Sequence, residues 1–182
     1  MFKFSIFVRF FLENTIEPMK KIDEKILIYT DGASRGNPGP GGFGTLLLYK
    51  GHRKELSQGY RFTTNNRMEL LAVIVGLETL KHENLEVVVT SDSRYVVDAV
   101  EKGWVFKWEK INFKKKKNPD LWKRFLVIYR KHRVSFKWIK GHSQHPLNER
   151  CDELAVDAAL YSELLIDAVF EKVHKEEQKK LF

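Results

Sequence analysis

The chain of 182 residues is long enough to bury a hydrophobic core in one domain, and its 43% hydrophobic and 31% charged residues exclude a disordered or a fibrous protein. Its formal net charge of +8 favours a polyanionic partner, with nucleic acid as the first candidate. The single cysteine, Cys151, cannot form an internal disulfide, so we expect a reducing compartment, the cytoplasm, and a small buried side chain at this position.

Residues 1–12 are mostly apolar and aromatic, but they are too few to span a bilayer, and Lys3 and Arg9 interrupt them. We therefore expect no stable association with a membrane. The sequence Met19-Lys-Lys stands just before the first predicted strand, which suggests that the working protein begins at Met19. On this hypothesis residues 1–24 form an N-terminal extension whose first part is dispensable.

Stretches rich in β-branched and aromatic residues predict strands over residues 25–30, 43–49, 55–62, 86–91 and 134–140. A hairpin is predicted between the second and third strands. The Gly- and Pro-rich segment 36–42 is predicted to be a loop. It leads into a strand and no Gly-Lys-Ser/Thr follows it, which argues against a P-loop or a dinucleotide site.

Helices are predicted over residues 67–81, 93–102 and 119–131, and from Asn148 onwards. The first has apolar residues at i, i+3 and i+4 spacing, and it carries Glu69 in its first turn, where the helix dipole favours an anion. Asn148 is predicted to cap the last helix, which carries Asp152. The Lys- and Glu-rich composition that follows allows this helix to continue towards residue 182.

Acidic residues directly follow two of the predicted strands. Asp31 ends the first in a Thr-Asp pair, and Asp92 ends the fourth in a Ser-Asp pair. If these strands are neighbours, about 4.8 Å apart, both side chains project from one edge of the sheet, where Glu69 and Asp152 are candidates to join them. Carboxylates about 4 Å apart repel by about 4 kcal/mol per pair at an effective dielectric of about 20, and hard oxygen ligands suit Mg²⁺ or Mn²⁺. Taken singly, Asp31 is also typical of a turn, and Glu69 and Asp152 of helix caps.

Several short motifs follow one another along the chain. They are Tyr29-Thr-Asp31-Gly, Gly36-Asn-Pro-Gly-Pro-Gly-Gly, Thr63-Thr-Asn-Asn-Arg-Met-Glu69-Leu, Thr90-Ser-Asp92-Ser, Asn118-Pro-Asp-Leu-Trp122 and Lys140-Gly-His142-Ser-Gln-His-Pro-Leu-Asn-Glu-Arg-Cys-Asp152-Glu-Leu-Ala. Over residues 25–161 this ordered set resembles the type 1 ribonuclease H family, and it is far more specific than a lone Thr-Asp-Gly. The resemblance implies an α/β, ribonuclease H-like fold: a five-stranded mixed sheet flanked by helices, with the first three strands antiparallel and the last two parallel to the first.

The resemblance also implies an activity, the endonucleolytic hydrolysis of the RNA strand of RNA–DNA hybrids by a monomer. Two divalent cations, Mg²⁺ or alternatively Mn²⁺, would be held by Asp31, Glu69, Asp92 and Asp152, and cleavage would leave 5′-phosphate and 3′-hydroxyl ends. Two such cations activate the attacking water and stabilise the leaving oxygen. His142, in a glycine-flanked loop, would relay a proton or assist product release, although a loop histidine taken alone is more often simply exposed to solvent.

Further residues match the family's contacts with the hybrid. The minor groove would be contacted by Asn37, Asn65 and Asn66, a DNA-strand phosphate by Thr64 and Asn118, and the DNA-strand channel would be lined by Tyr95, Trp104 and Trp108. The asparagines are also typical of turns and helix caps, and the aromatic residues of core packing. Some relatives place an arginine two residues before the threonine; this chain has Phe62 there, which leaves the charge of the phosphate pocket open.

A basic stretch with interleaved aromatic residues, 107–117, matches the protruding substrate handle of the family but is shorter than in some members. Its lysine run consists of Lys114, Lys115, Lys116 and Lys117. Aromatic residues beside lysines favour a nucleic-acid surface, whereas a lysine run alone is usually only a solvated surface.

Two other functions compete with this interpretation. A zinc site at His142, His145 and Cys151 lacks the usual paired-cysteine spacing. A non-catalytic hybrid-binding module would keep the basic surface but would not need the four carboxylates, so their presence favours catalysis. We therefore predict a catalytic domain over residues 25–161 and a charged helical tail over residues 162–182.

Overall fold

The computed structural model describes residues 25–141, 143 and 145–180, and a five-stranded sheet forms its central layer. The strands are β1 (Ile26–Ser34), β2 (Gly39–Tyr49), β3 (His52–Thr63), β4 (Glu86–Ser91) and β5 (Arg133–Trp138). They lie in the order β3-β2-β1-β4-β5. The pairs β1–β2 and β2–β3 are antiparallel, and the pairs β1–β4 and β4–β5 are parallel. The predicted mixed sheet is confirmed.

Helices lie on both faces of this sheet. Within the described residues they are α1 (Asn65–Glu78), α2 (Arg94–Glu101), α3 (Trp104–Lys110), α4 (Pro119–Tyr129), α5 (Pro146–Ala158) and α6 (Ala168–Lys179). Successive residues of a strand point to opposite faces, and at the neighbouring positions Gly44 and Thr45 the first faces α5 and the second faces α1. The two helices therefore cover β2 from opposite sides.

The main hydrophobic core lies between the sheet and the layer formed by α1, α2 and α4. Its largest fully buried side chains include Ile28 from β1, Met68 and Ile74 from α1, and Trp122 and Phe125 from α4. The apolar face predicted for the first helix is confirmed at Leu70, Val73, Ile74 and Leu77, each of which is completely buried. Within the described part of the chain, no helix has the length and apolar character needed to cross a membrane.

The loop predicted for residues 36–42 is largely wrong, because most of this segment is strand. β1 continues past Thr30 as far as Ser34, and β2 begins at Gly39. The two strands stay paired from Asp31 opposite Gly44 to Ser34 opposite Gly41. Glycine is a poor strand former when its neighbours are unknown, and here the pairing with β1 stabilises the extended conformation.

Several helix boundaries differ from the predicted ones, and α3 forms where no helix was predicted. α1 begins at Asn65 rather than at residue 67. The N-cap position of the last predicted helix is His145 rather than Asn148, without a capping hydrogen bond from its side chain, and Pro146 occupies the first turn. The helix ends at Ala158 instead of continuing towards residue 182. The following segment runs alongside β3, where Leu165 exchanges backbone hydrogen bonds with Gly59 and Arg61, and a separate helix, α6, then begins.

The predictions for the N-terminal extension and for Met19 fall on residues 1–24, which lie outside the described residues.

Candidate active site

Asp31 and Asp92 stand side by side where the pairing of β1 with β4 ends, although β1 itself continues to Ser34 and the prediction that Asp31 ends this strand is wrong. In the parallel pair of β1 and β4, Thr30 lies beside Ser91, so the next residue along each strand is one of the two aspartates. Asp31 is only 8% exposed. Asp92 is half-buried, and its Oδ2 lies 3.5 Å from the amide Nδ2 of Asn148 on α5. The neighbouring strands expected from the Thr-Asp and Ser-Asp pairs are confirmed.

Glu69 reaches this end of the β1–β4 pairing because α1 packs closely against β1 at Gly32. A Cβ atom at position 32 would lie 2.2 Å from the backbone nitrogen of Glu69, so only glycine allows this approach. Both oxygens of the Glu69 carboxylate accept hydrogen bonds, one from Asn65 Nδ2 at 2.8 Å and the other from the Ser93 hydroxyl. The prediction that Glu69 lies in the first turn of its helix is wrong, because the helix begins four residues earlier at Asn65.

Asp152 is positioned by the packing of α5 on β2. Gly44 pairs with Asp31 across the sheet, and a Cβ atom at position 44 would lie 2.1 Å from the carbonyl oxygen of Cys151. The absence of a side chain thus lets α5 lie directly over this strand, with Asp152 beside Asp31. Cys151 itself is fully buried, and burial raises the pKa of its thiol, which confirms the small buried side chain predicted there.

The four carboxylates interact electrostatically. The pKa of Asp31 is raised to about 8. Burial is the largest cause, and the negative charges of Asp92, Asp152 and Glu69 act in the same direction, while a hydrogen bond from the Gly32 N–H opposes the rise. Burial also raises the pKa of Glu69, and the charge of Asp92 acts in the same direction. The hydrogen bonds that the Glu69 carboxylate accepts lower this pKa and so oppose the rise. Such mutual repulsion arises only among carboxylates that lie close together.

A divalent cation fits the chemistry of this donor set. Within residues 25–141, 143 and 145–180, no three His, Cys, Asp or Glu side chains form a group that could hold a metal ion as they stand, the zinc candidates His145 and Cys151 included. The supporting observation is instead the raised pKa of Asp31, because a nearby cation would stabilise its charged form and relieve the repulsion. Carboxylate oxygens are also the donors that Mg²⁺ and Mn²⁺ prefer.

We expect the contribution of Asp31 to the stability of the metal-free protein to decrease as the pH rises from about 4 to about 8. In this range Asp31 is ionised in the unfolded chain, where its pKa is about 3.9, but still protonated in the folded protein, where the pKa is about 8. The folded state therefore binds more protons, and the free energy of unfolding falls with increasing pH. Urea unfolding in the presence of a chelator, at several pH values, measures this slope. The Asp31→Asn variant should give a shallower slope, and equal slopes for the two proteins would contradict the assignment.

A groove of about 480 Å³ opens between α1 and α6, and we call it the α1–α6 groove. The residues predicted to bind substrate that line it are Asn37, Thr64, Asn66, Lys116, Lys117 and Asn118. Its opposite wall is formed by one face of α6, namely Val169, Phe170, Val173, His174 and Glu177. The structure thus brings together residues from three separate segments that were predicted to contact nucleic acid.

Thr64 and Asn118 are placed differently within this groove. Thr64 precedes α1, but its side chain makes no capping hydrogen bond, which leaves its hydroxyl group available to a ligand. The Asn118 side chain is engaged within the protein: its Nδ2 donates to the Tyr95 hydroxyl at 3.0 Å, and its Oδ1 accepts from Arg67 Nη1 at 3.3 Å. Asn118 therefore helps to fix the wall of the groove in addition to facing it.

The remaining predicted contact residues surround the groove or lie apart from it. Asn65 is half-buried and points its amide at Glu69 rather than into the groove. Lys114 and Lys115 are exposed in the turn after α3. That turn is anchored by Phe113, whose side chain is only 3% exposed. The lysine run thus protrudes from a fixed base, as the resemblance to a substrate handle implies.

The three aromatic candidates have different environments. Tyr95 accepts hydrogen bonds from Asn118 and, at 2.8 Å, from Trp122 Nε1, so it belongs to a buried network, and burial raises its pKa. Trp108 is half-buried and packs edge-on against Trp122, while Lys116 lies 5.2 Å above its ring. Trp104 is 41% exposed and is not a core residue.

Of the two loop histidines, His142 lies outside the described residues. His145 occupies the N-cap position of α5, and its ring lies 5.3 Å from that of Tyr29. Its Nδ1 is buried and has no hydrogen-bond partner among the described residues.

Sequence reasoning missed a buried ion-pair network below the groove. Arg67 is 3% exposed and donates to both Asp120, at 2.8 Å and 2.9 Å, and Asp167, at 2.7 Å and 2.8 Å. Burial alone would lower the pKa of Arg67, but the two carboxylates raise it above its usual value. The signal available for Arg67 was an arginine on a helix with many apolar residues. Nothing in the local sequence marked Asp167, which lies 100 residues further along the chain.

Phe62, at the position where some relatives have arginine, packs against α6. Its ring lies 5.7 Å from that of Phe170 and 5.1 Å from that of His174. The neighbouring Arg61 points elsewhere and forms a two-bonded ion pair with Glu171. The side chain at position 62 therefore serves to attach α6, and the imidazole of His174 stands nearby.

A group of carboxylates at the end of parallel strands, together with a groove lined with amides and lysines, is typical of a metal-dependent nuclease. The family model described as RNase H matches residues 23–160. The chain is 58% identical over 149 residues to the ribonuclease H of Desulforamulus reducens, an alignment that covers 79% of this chain and 93% of that protein. It is 52% identical over 158 residues to the ribonuclease H of Rippkaea orientalis, covering 84% and 96% of the two chains.

Solved structures agree with these relatives. LC9-RNase H1, a type 1 RNase H with the type 2 active-site motif, superimposes with a TM-score of 0.69 at 33% identity and covers 82% of this chain and 80% of its own. LC11-RNase H1, solved in complex with an RNA/DNA hybrid, gives a TM-score of 0.58 at 33% identity and covers 74% and 96%. This chain belongs to the ribonuclease H family, and it is therefore a hydrolytic nuclease.

Proposed function

We propose that the protein cleaves the RNA strand of RNA–DNA hybrids endonucleolytically, with two divalent cations held by Asp31, Glu69, Asp92 and Asp152. The observation that supports this proposal is the packing around these residues, with Asp31 and Asp92 where β1 meets β4, Glu69 close to Gly32 and Asp152 next to the contact at Gly44, in a chain of the ribonuclease H family. One solved relative, LC11-RNase H1, was itself obtained in complex with an RNA/DNA hybrid.

The chain's own residues prepare this chemistry. When bound, the cations would activate water for attack and stabilise the leaving 3′ oxygen, giving 5′-phosphate and 3′-hydroxyl ends. Asn65 and Ser93 fix the orientation of the Glu69 carboxylate, and Asn148 contacts that of Asp92. His142 is proposed to relay a proton or to assist product release.

Recognition of the hybrid would involve several segments. Asn37 and Asn66 are proposed to contact the minor groove, where short amides can bind 2′-hydroxyl groups and base edges. The hydroxyl of Thr64 is proposed to hold a phosphate of the DNA strand, and the exposed Trp104 to line the channel for that strand. We further propose that the protein acts as a monomer, since one chain supplies every residue of this site.

A cleavage assay with a labelled RNA–DNA hybrid tests the proposed function directly. We expect cleavage of the RNA strand in the presence of Mg²⁺ and none in the presence of a chelator. Duplex DNA of the same sequence should resist, because the 2′-hydroxyl group is part of recognition. Equal cleavage of the hybrid and of the DNA duplex would contradict the proposed specificity.

We expect the lysine run to contribute to affinity and not to the chemical step. Replacing Lys114, Lys115, Lys116 and Lys117 by alanine should weaken hybrid binding and flatten its salt dependence by up to about 0.9 in log–log slope for each lost phosphate contact. Single-turnover cleavage at saturating hybrid should persist. Replacing the exposed Lys54 and Lys81 is the control for loss of charge elsewhere. An unchanged salt slope would mean that the run is an ordinary solvated surface.

A further inference from the structure

The helix α6 lies beyond residues 23–160, which the family model matches, yet it is attached to the catalytic domain at several points. Arg61 forms a two-bonded ion pair with Glu171 at 2.8 Å and 2.9 Å. Asp167, the N-terminal cap of α6, accepts hydrogen bonds from Thr63 and from the buried Arg67. The helix is therefore held in one place by side chains of β3 and α1.

This attachment directs one face of α6 into the α1–α6 groove. Val169, Val173, His174 and Glu177 face Asn37, Thr64 and the lysines across it. The outward faces of the helix carry Lys172, Lys175 and Lys179, which line a separate, shallower depression. The helix is thus part of the wall beside the proposed nucleic-acid contacts and not a tail distant from them.

His174 is the residue of α6 best suited to bind a phosphate group. Its ring packs in a cluster with the rings of Phe62, at 5.1 Å, and Phe170, at 5.9 Å, and one ring nitrogen lies 3.1 Å from Gln178 Nε2. The second ring nitrogen remains to act on a ligand. A protonated imidazole at this point would provide a positive charge in the region where Phe62 replaces the arginine of some relatives.

The other charged groups of the groove determine how much this charge contributes. Lys116 and Lys117 face His174 from the segment before α4, Arg67 faces it from α1, Asp120 from α4, and Glu177 from α6 itself. The positive charge of Arg67 is already matched by Asp120 and Asp167. The backbone phosphates of a nucleic-acid strand would therefore meet the positive charges of the two lysines and the negative charge of Glu177. An imidazolium at His174 would add a further positive charge to the groove.

We propose that α6 is a substrate-binding element of this enzyme, and that His174 contacts a backbone phosphate of the DNA strand of the hybrid. This inference rests on the proposed function, since it assigns a further contact to the same substrate. It adds to that function a residue from outside the matched family region.

The test is hybrid binding by the full chain in chelator. His174→Gln should weaken binding by roughly ten- to a hundredfold, the range expected for one hydrogen bond to a charged group. His174→Lys should restore binding. His82→Gln is the matched control, because His82 is exposed beyond the far end of α1, about 20 Å away along that helix.

A second arm identifies the phosphate. Neutral methylphosphonate linkages in the DNA strand should remove the difference between His174→Gln and the unaltered protein, whereas the same change outside the bound segment should not. Equal binding by His174→Gln and His82→Gln, or tighter binding by His174→Gln, would overturn the inference. Failure of the unaltered protein to cleave any hybrid would instead refute the proposed function, so the two failures are distinguishable.

Discussion

Replacing Arg67 by methionine is expected to destabilise the protein by about 3–5 kcal/mol, the loss that accompanies removal of one partner from a buried ion pair. The methionine would fill much of the same space, but Asp167, with a side chain only 9% exposed, would keep its charge without its cation. Asp120, 25% exposed, would lose its partner as well. Urea unfolding of the metal-free protein measures this loss.

Arg124→Met is the matched control for this experiment. Arg124 also forms a two-bonded pair with a carboxylate, that of Glu78, but its side chain is 46% exposed, so its loss should cost no more than about 1 kcal/mol. Replacing Asp120 and Asp167 by asparagine in the Arg67→Met protein should recover part of the stability, because no unpaired charge then remains buried. If Arg67→Met were no more destabilising than Arg124→Met, the network would have no structural role.

The acidic edge was predictable because its signals are local. Asp31 and Asp92 each directly follow a run of β-branched residues, and parallel strands bring such positions to one edge of a sheet. Glu69 and Asp152 were candidates from the sequence as well, and the resemblance to the family strengthened them, since a carboxylate near a helix start is by itself more often a cap. The structure places these two through close packing at Gly32 and Gly44.

What could not be predicted depends on contacts between distant parts of the chain. The glycine-rich segment before residue 43 is extended because β1 pairs with it as far as Ser34 and β3 pairs with it on the other side. The break after Ala158 follows from the backbone pairing of Leu165 with β3. None of these pairings leaves a periodic pattern in the sequence, and a Lys- and Glu-rich stretch is compatible with one long helix or with two.

The same limit applies to Phe62. From the sequence, a phenylalanine in place of a cationic residue leaves the phosphate pocket with one charge fewer. In the structure, its ring packs against Phe170 and His174 and so attaches a helix that faces the groove. Phe62 thus leaves the pocket with one charge fewer, and the helix that it attaches brings the imidazole of His174 to the same region. Only the folded chain reveals this proximity.

Asp92→Asn is expected to lower single-turnover cleavage of the hybrid by orders of magnitude while leaving the protein folded. Asparagine has nearly the same shape but no charge, so the remaining carboxylates could not hold two cations in position for in-line attack. Binding of the hybrid in chelator should persist, because it depends on the lysine run and the groove. The measurement pairs a cleavage time course in Mg²⁺ with a binding titration of the same hybrid.

The stability of this variant provides the control. Loss of a metal ligand should leave the free energy of unfolding of the metal-free protein unchanged or raise it, whereas loss of a structural residue should lower it. The charge of Asp92 raises the pKa of both Asp31 and Glu69, so removing it should relieve repulsion and leave the metal-free protein as stable as before or more stable. Mg²⁺ should then stabilise the variant less than it stabilises the unaltered protein. A folded Asp92→Asn protein with near-normal cleavage would exclude Asp92 from the site. Loss of folding would show instead that Asp92, through its contact with Asn148 on α5, is needed for the structure.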